Sequence, residues 1–234
     1  MEDEFAESAQ RDYKNDEDFF GKFGLSEHFY GTMTDEMLPD AIQKVRNNLD
    51  RFIASTWNSK VIDYFQTAKF VYVERPRTRD FDAMKVNVSK LPGFKDITVM
   101  AAPDFGVTFS DTDFLILDWK SGKEDIVDEG ISDQLKVYAL KMLLKKGIST
   151  MDGMRIEAHE VYLQNMHTHG GVLTQQDIDG IIEKIQHDVE EQKNFLVDRD
   201  PYRNDPVDVI MFRKTSNAKK CEGCTFRDVC QKLA

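Results

Sequence analysis

The sequence contains few cysteines, few prolines and no long apolar segment. Its 234 residues include 3 cysteines and 6 prolines. No apolar run approaches the ~20 residues that a membrane-spanning helix requires. The acidic start at Met1 to Phe5 also lacks the pattern of a secretory signal. We therefore expect a cytoplasmic protein without a membrane partner.

The cysteines are absent from most of the chain and cluster at its C-terminal end. They are Cys221, Cys224 and Cys230. An odd, clustered set in a chain without a signal peptide is a poor disulfide framework and a better metal or cluster site. The alternative is that the three are reduced thiols without a ligand.

Positive charge is also in short supply. The chain carries 42 acidic and 31 basic residues, a net charge of −11. This argues against non-specific nucleic-acid binding by the whole surface, which depends on lysine and arginine neutralising phosphates. A local basic groove, or a site that holds divalent ions, remains compatible with an acidic protein. The hydrophobic content of 41% allows a sizeable core.

The pattern of the chain predicts one α/β domain behind a polar leader. We assign the leader to residues 1–24 and a single domain to 25–234, with a catalytic core at 66–165 and a cysteine cluster at 221–230. Apolar spacing predicts one long helix or two at 35–64, with a kink near Thr56. Further helices are expected at 132–146 and, after a capping box that starts at Thr174, at 174–197. Strands are predicted at 69–74, 84–88, 97–102, 107–109, 114–119 and 156–163, those at 97–102 and 107–109 continuing the central sheet.

The stretch from Pro103 to Lys120 carries the strongest chemical signal. Alternation at 107–109, the polar break at 110–113 and the apolar run at 114–117 predict a β-hairpin. Side chains alternate along a strand, so Asp118 and Lys120 share one face and Trp119 points to the other. Asp104 opens the hairpin. Two carboxylates near an ammonium group suit metal-assisted hydrolysis of a phosphodiester.

The same residues carry a resemblance to a known family. Pro103-Asp104, then Asp118-Trp119-Lys120 fourteen residues after Asp104, then Gln134 and Tyr138 on one helix face resemble the PD-(D/E)XK nuclease superfamily. The pattern is most similar to the RecB-like branch, which includes the RecB and AddB nuclease domains and CRISPR-associated exonucleases. The resemblance covers about residues 25–232, and the C-terminal cysteines occur in the order seen in that branch.

The resemblance implies a restriction-endonuclease-like fold, a mixed central sheet of four or five strands flanked by helices. It implies a DNA nuclease in repair, recombination or phage–host conflict. Asp104, Asp118 and the backbone carbonyl of Trp119 would bind Mg²⁺ or Mn²⁺, and Lys120 would assist the attacking water. Gln134 and Tyr138 would contact the substrate backbone or brace the site.

Two elements of the resembled branch are missing. Many members carry a metal-binding histidine upstream of the hairpin, whereas the only upstream histidine here is His28, in an aromatic setting that also suits packing. Glu74 is a further candidate acid, or a partner of Arg75 or Arg77. A fourth cysteine that completes a [4Fe–4S] cluster is also absent, so a non-cysteine ligand such as His28, or Zn²⁺, is the alternative. An N-terminally shortened chain, or a second polypeptide that supplies the missing part, would explain both.

Two further interpretations remain. His167 to Gly171 contains two histidines, but its setting favours a solvated turn over a metal site. The nuclease-like domain could alternatively lack activity and serve as a DNA-binding or partner-docking subunit. The net charge fits docking, whereas the intact Asp104, Asp118 and Lys120 favour catalysis.

Overall fold

The computed structural model describes most of the chain between residues 37 and 224. The described residues are 37–74, 85–88, 91, 97–122, 130–200, 203, 205–208, 211–212, 215–222 and 224. The chain divides into two compact units, with the boundary between Ile181 and Ile182. Among the described residues, none of the helices combines the length and apolar character that crossing a bilayer demands.

Two consecutive helices precede the sheet. Helix α1 spans Met37–Ala54 and helix α2 spans Thr56–Thr67. Ser55 separates them, because its backbone is extended and its hydroxyl accepts a hydrogen bond of 3.2 Å from the backbone N–H of Trp57. A serine at this position caps the start of the second helix. The predicted kink near Thr56 is confirmed.

A mixed five-stranded sheet forms the centre of the first unit. Its strands are β1 (Phe70–Val73), β4 (Phe105–Thr108), β5 (Asp113–Lys120), β6 (Arg155–Tyr162) and β7 (His167–Val172), in the order β1-β4-β5-β6-β7. Strands β5 and β6 are parallel, and the other neighbours are antiparallel. Strands β4 and β5 form the predicted hairpin. The expected α/β fold with a mixed central sheet flanked by helices is confirmed.

A separate two-stranded sheet corrects one sequence prediction. Strand β2 (Lys85–Asn87) pairs antiparallel with β3 (Thr98–Met100). The prediction that residues 97–102 continue the central sheet is therefore wrong. Strand β4 already has β1 on one edge and β5 on the other, which leaves no free edge there for β3.

Helix α3 (Asp133–Lys145) supplies the crossover between the parallel strands β5 and β6. Parallel neighbours require such a connection, because the chain must return from the end of the first strand to the opposite end of the sheet, where the second strand begins. The hydroxyl of Ser132 caps the helix by accepting from the N–H of Leu135 at 3.4 Å. Gly147, with a φ of +76°, follows its end, as the sequence predicts.

The segment from His167 to Gly171 is not a turn. It forms most of β7, which pairs with β6 along its whole length. Gly170 explains how this polar stretch pairs so closely, because its φ is +137° and a Cβ atom there would lie 2.1 Å from the carbonyl oxygen of Ala158. The prediction of a solvated turn is therefore wrong. The segment lacks the apolar alternation typical of strands, so its composition did not indicate a strand.

Helix α4 (Gln175–Lys193) begins with the predicted capping box. The N–H of Thr174 donates to Asp177 Oδ2 at 2.9 Å, and the N–H of Asp177 donates to Thr174 Oγ1 at 3.3 Å. The second unit contains a short 3₁₀ helix (Val197–Arg199) and helix α5 (Ala218–Glu222). Within it, the rings of Phe195 and Phe212 stack with centroids 5.0 Å apart.

Candidate active site

The strand register places four carboxylates in one line across β1, β4, β5 and β6. Phe105 pairs with Leu117, so Asp104 lies opposite Asp118. Val73 pairs with Phe105, and the N–H of Glu74 donates to the carbonyl of Asp104 at 2.8 Å. On its other side, Asp118 pairs with Glu160 of β6. Paired residues on neighbouring strands project from the same face. We call this line the acidic row, and its members are Glu74, Asp104, Asp118 and Glu160.

Asp104 is held against β5 by a backbone contact. Its Oδ2 atom accepts a hydrogen bond of 2.7 Å from the N–H of Trp119. Partial burial raises the pKa of Asp104 to about 6, the Trp119 contact opposes this shift, and the nearby charges of Asp118 and Glu74 add to it. The Asp104 carboxyl therefore lies where excess negative charge is unfavourable, which a bound cation would relieve.

Asp118 is the most heavily hydrogen-bonded acid of the site. Its side chain is buried, and its two oxygens have different partners. The ammonium group of Lys120 lies 2.6 Å from Oδ2. The hydroxyl of Tyr138 and the amide nitrogen of Gln134 each donate to Oδ1 at 3.2 Å. Asp118 is thus fixed by an ion pair and two neutral donors.

Helix α3 positions the polar partners of Lys120. Lys120 Nζ donates to Gln134 Oε1 at 2.6 Å, and Gln134 Nε2 donates to the hydroxyl oxygen of Tyr138 at 2.6 Å. Gln134 and Tyr138 are one helical turn apart, so both reach the same strand. Burial raises the pKa of Tyr138, so the hydroxyl stays protonated and acts as a donor to Asp118 at neutral pH.

Glu160 is a site residue that the sequence reasoning missed. It is 6% exposed, and it accepts hydrogen bonds from Ser132 Oγ at 2.7 Å and from the hydroxyl of Tyr162 at 3.1 Å. Its Oε1 lies 3.9 Å from Lys120 Nζ. The available signal was the alternation along β6, in which Ile156 and Ala158 predict a buried face that Glu160 continues.

The structure brings Glu74 to Asp104. A side-chain hydrogen bond between Glu74 and Asp104 adds to the raised pKa of Asp104, so the two carboxyls are direct neighbours. The alternative partners, Arg75 and Arg77, lie outside the described residues, as does His28.

The cysteines lie in the second unit. Cys221 is in helix α5, and the N–H of Cys224 donates to the carbonyl of Cys221 at 3.2 Å. Both are free thiols, and Cys230 is not among the described residues. The cysteine cluster therefore stays a prediction.

Comparison with known proteins decides the family. The sequence profile of the PD-(D/E)XK nuclease superfamily matches residues 23–231. The chain belongs to this superfamily. Its members are usually nucleases, and they usually use Mg²⁺ or a similar divalent metal. In this member, Pro103-Asp104 directly precede β4, and Asp118-Trp119-Lys120 end the paired strand β5. No curated protein and no solved structure matched the chain significantly.

The donor set of this superfamily member fits a hard divalent cation. Within the described part of the chain, no group of three or more histidine, cysteine, aspartate or glutamate side chains is arranged to hold a metal. Mg²⁺ does not need such a cage, because it keeps several waters and binds through one or two carboxylates. Asp104 and Asp118 are oxygen donors on adjacent strands, and Asp104 has a raised pKa.

Proposed function

We propose that this chain is a metal-dependent DNA nuclease that hydrolyses phosphodiester bonds. One observation carries the proposal: Lys120 Nζ lies 2.6 Å from both Asp118 Oδ2 and Gln134 Oε1, on the hairpin that also holds Asp104. A lysine held in this way beside two carboxylates is a preorganised charge that can act on a phosphate next to a metal.

The metal ligands would be Asp104, Asp118 and the backbone carbonyl of Trp119. The N–H of Trp119 points to Asp104. In an extended strand the N–H and C=O of one residue point to the same side, so this carbonyl also points toward Asp104. A bound Mg²⁺ or Mn²⁺ would lower the pKa of a bound water and stabilise negative charge on the phosphate.

The side chains around the metal site would orient the reaction. Lys120 would hold the attacking water or stabilise charge on the phosphate oxygens, an effect of roughly 3–4 kcal/mol for one well-placed donor. Gln134 would keep the Lys120 ammonium in place, because its Oε1 accepts from Nζ. Tyr138 would keep Asp118 Oδ1 hydrogen-bonded and leave Oδ2 to Lys120 and the metal. Glu74 would add negative charge next to Asp104.

We assign the chain to the RecB-like branch, with a role in repair, recombination or phage–host conflict. The order of the hairpin, the Gln134–Tyr138 helix and the C-terminal cysteines supports this. Cys221, Cys224 and Cys230 would hold a [4Fe–4S] cluster or Zn²⁺, with a non-cysteine ligand or a second polypeptide completing the set. Iron and zinc analysis of anaerobically purified protein distinguishes a bound [4Fe–4S] cluster from bound Zn²⁺.

DNA cleavage by a matched pair of lysine variants tests the proposal. The full chain is incubated with single- and double-stranded DNA in Mg²⁺ or Mn²⁺, as wild type, Lys120→Ala and Lys136→Ala. Lys136 is a suitable control because its side chain is 22% exposed and paired with Asp177, against 28% for Lys120. We expect Lys120→Ala to lose about 100-fold or more in cleavage rate, and Lys136→Ala to cleave like wild type.

Two outcomes would contradict the proposal. Equal cleavage by wild type and Lys120→Ala would remove Lys120 from the reaction. A folded wild type that neither cleaves DNA nor gains melting temperature from Mn²⁺ would instead support the docking subunit as the function.

A further inference from the structure

A small apolar cavity lies next to the acidic row. Its volume is about 150 Å³. The lining residues come from β1, β4, β5 and helix α3, and they include Phe70, Tyr72, Gly106, Ile116, Tyr138 and Met142. The reaction proposed above does not use this cavity.

The register shows how close the cavity is to the candidate active site. Tyr72 pairs with Gly106, and Gly106 pairs with Ile116. These three residues form the next row across the sheet on the same face. Each lies two positions along its own strand from the acid of the acidic row, which is Glu74, Asp104 or Asp118. Pro103, which also lines the cavity, directly precedes Asp104.

Tyr138 belongs to both places. It lines the cavity, and its hydroxyl donates to Asp118 Oδ1 at 3.2 Å. A group seated in the cavity would therefore contact a residue that touches a proposed metal ligand. In a nuclease, a nucleotide joined to the reacting phosphate comes this close.

The size and lining of the cavity suit one planar ring system. An apolar cavity of about 150 Å³ is large enough to bind a single aromatic ring such as benzene. Phe70 and Tyr72 offer aromatic surface, and Phe70 is 61% exposed at the sheet edge. Bases of single strands stack on such side chains independently of sequence. A base pair could not enter a space of this volume.

A charge at the rim also suits a nucleotide. Lys145 lines the cavity and is exposed at the end of helix α3. Lys141 also lines the cavity, but it is buried and its ammonium donates to the carbonyl of Ala101. Cations beside an apolar pocket can accompany the phosphates of a strand whose base is inside.

We propose that this cavity binds one unpaired nucleobase of a single DNA strand, next to the phosphate that the acidic row acts on. The inference rests on the proposed nuclease function, and it specifies the substrate as single-stranded at that position. Gly106 keeps the cavity open, because a larger side chain in its place would project into the space between Tyr72 and Ile116.

Binding without cleavage tests the pocket separately from catalysis. The protein is the full chain carrying Lys120→Ala, in EDTA. The probes are a fluorescent ten-residue oligothymidylate and the same backbone with abasic residues, compared by fluorescence anisotropy. One stacked base contributes ~1–3 kcal/mol, so we expect the oligothymidylate to bind at least about 5-fold more tightly.

Two substitutions that fill the cavity, each added to Lys120→Ala, should remove this preference. They are Gly106→Leu from the sheet and Met142→Trp from the helix. A Cβ at Gly106 would meet only ordinary contacts, the nearest being Tyr72 Cβ at 3.7 Å. Gly171→Leu is the matched control, because it adds the same side chain to β7, where the nearest atom is Ile131 Cδ1 at 4.0 Å. Melting curves establish which variants are folded.

The outcomes separate the pocket from the nuclease function. Equal affinity for the two probes, or a preference retained in folded Gly106→Leu and Met142→Trp, would overturn the pocket even if the wild type cleaves DNA. A preference lost in both variants and kept in Gly171→Leu supports the pocket. That result would stand even if the wild type proved inactive in the cleavage assay above.

Discussion

At the C-terminal end of β5, the two faces of the central sheet differ although the same strand builds both. Along β5, Asp118 and Lys120 face helix α3 and form ion pairs and hydrogen bonds. Leu117 and Trp119 alternate with them and pack on the other face, against helices α1 and α2. Apolar packing on one face thus anchors the strand, and the anchored strand fixes the positions of the polar side chains on its other face.

Trp119 connects the two faces. Its ring makes edge contacts with Phe52 and Trp57, with centroids 5.3 Å and 6.3 Å apart. Its backbone N–H donates to Asp104 on the other side of the sheet. One residue thus contributes packing through its side chain and positioning through its backbone.

The largest loss of stability is expected from Trp119→Ala, which removes apolar packing from the face opposite the site. Truncating a packed tryptophan costs ~3–5 kcal/mol. Because Trp119 is only partly buried, we expect the lower end of that range, a fall of about 6–12 °C in Tm. Thermal unfolding measures it, with Phe70→Ala as the control, since Phe70 is 61% exposed. A Trp119→Ala protein as stable as wild type would show that the apolar face does not anchor the site.

A smaller effect is expected from Glu160→Ala. The substitution leaves the hydroxyls of Ser132 and Tyr162 without their acceptor, which costs ~1–3 kcal/mol. It also removes a carboxylate 3.9 Å from Lys120 Nζ. Thermal unfolding and the DNA cleavage rate are the measurements. Glu160→Gln keeps one acceptor oxygen, so we expect it to restore most of the stability. If both variants were equally unstable, the hydrogen bonds would not be the cause.

The smallest effect should be a gain in stability from Asp104→Asn in metal-free buffer. The pKa of Asp104 rises from 3.8 to about 6 on folding, so the native state holds this proton more tightly than the unfolded state. Stability from this group therefore falls as pH rises from 3.8 to about 6, and the full cost is present above that window. Asparagine never ionises and avoids this cost.

We therefore expect Asp104→Asn to melt about 2–4 °C higher than wild type at pH 7.5, and to show no gain below the ordinary pKa of aspartate. Differential scanning fluorimetry at both pH values measures the difference. Saturating Mn²⁺ should raise the Tm of wild type and leave Asp104→Asn unchanged. A gain that is equal at both pH values would mean that ionisation of Asp104 is not its source.

Elements that depend on the local spacing of apolar and polar residues were predictable from the sequence. The hairpin followed from alternation and a polar break. The helix at 132–146 followed from the helical spacing of its apolar residues, which are Leu135, Tyr138, Ala139, Met142 and Leu143. Strand β7 and the separate β2–β3 pair were not predictable, because their existence depends on which sheet edges are free. The polar composition of β7 gave no local signal, and only its pairing with β6 satisfies its backbone.

The sequence by itself determined that Asp118 and Lys120 share a face and that Trp119 points away, because alternation is a property of any extended strand. Asp104 joins them through the predicted hairpin, whereas only the tertiary structure decided that Glu74 and Glu160 lie in the same row. Glu74 and Glu160 are far from Asp118 in the chain, and they enter the acidic row through the register of β1 and β6. Register arises from pairing and packing between strands, so no local pattern contains it.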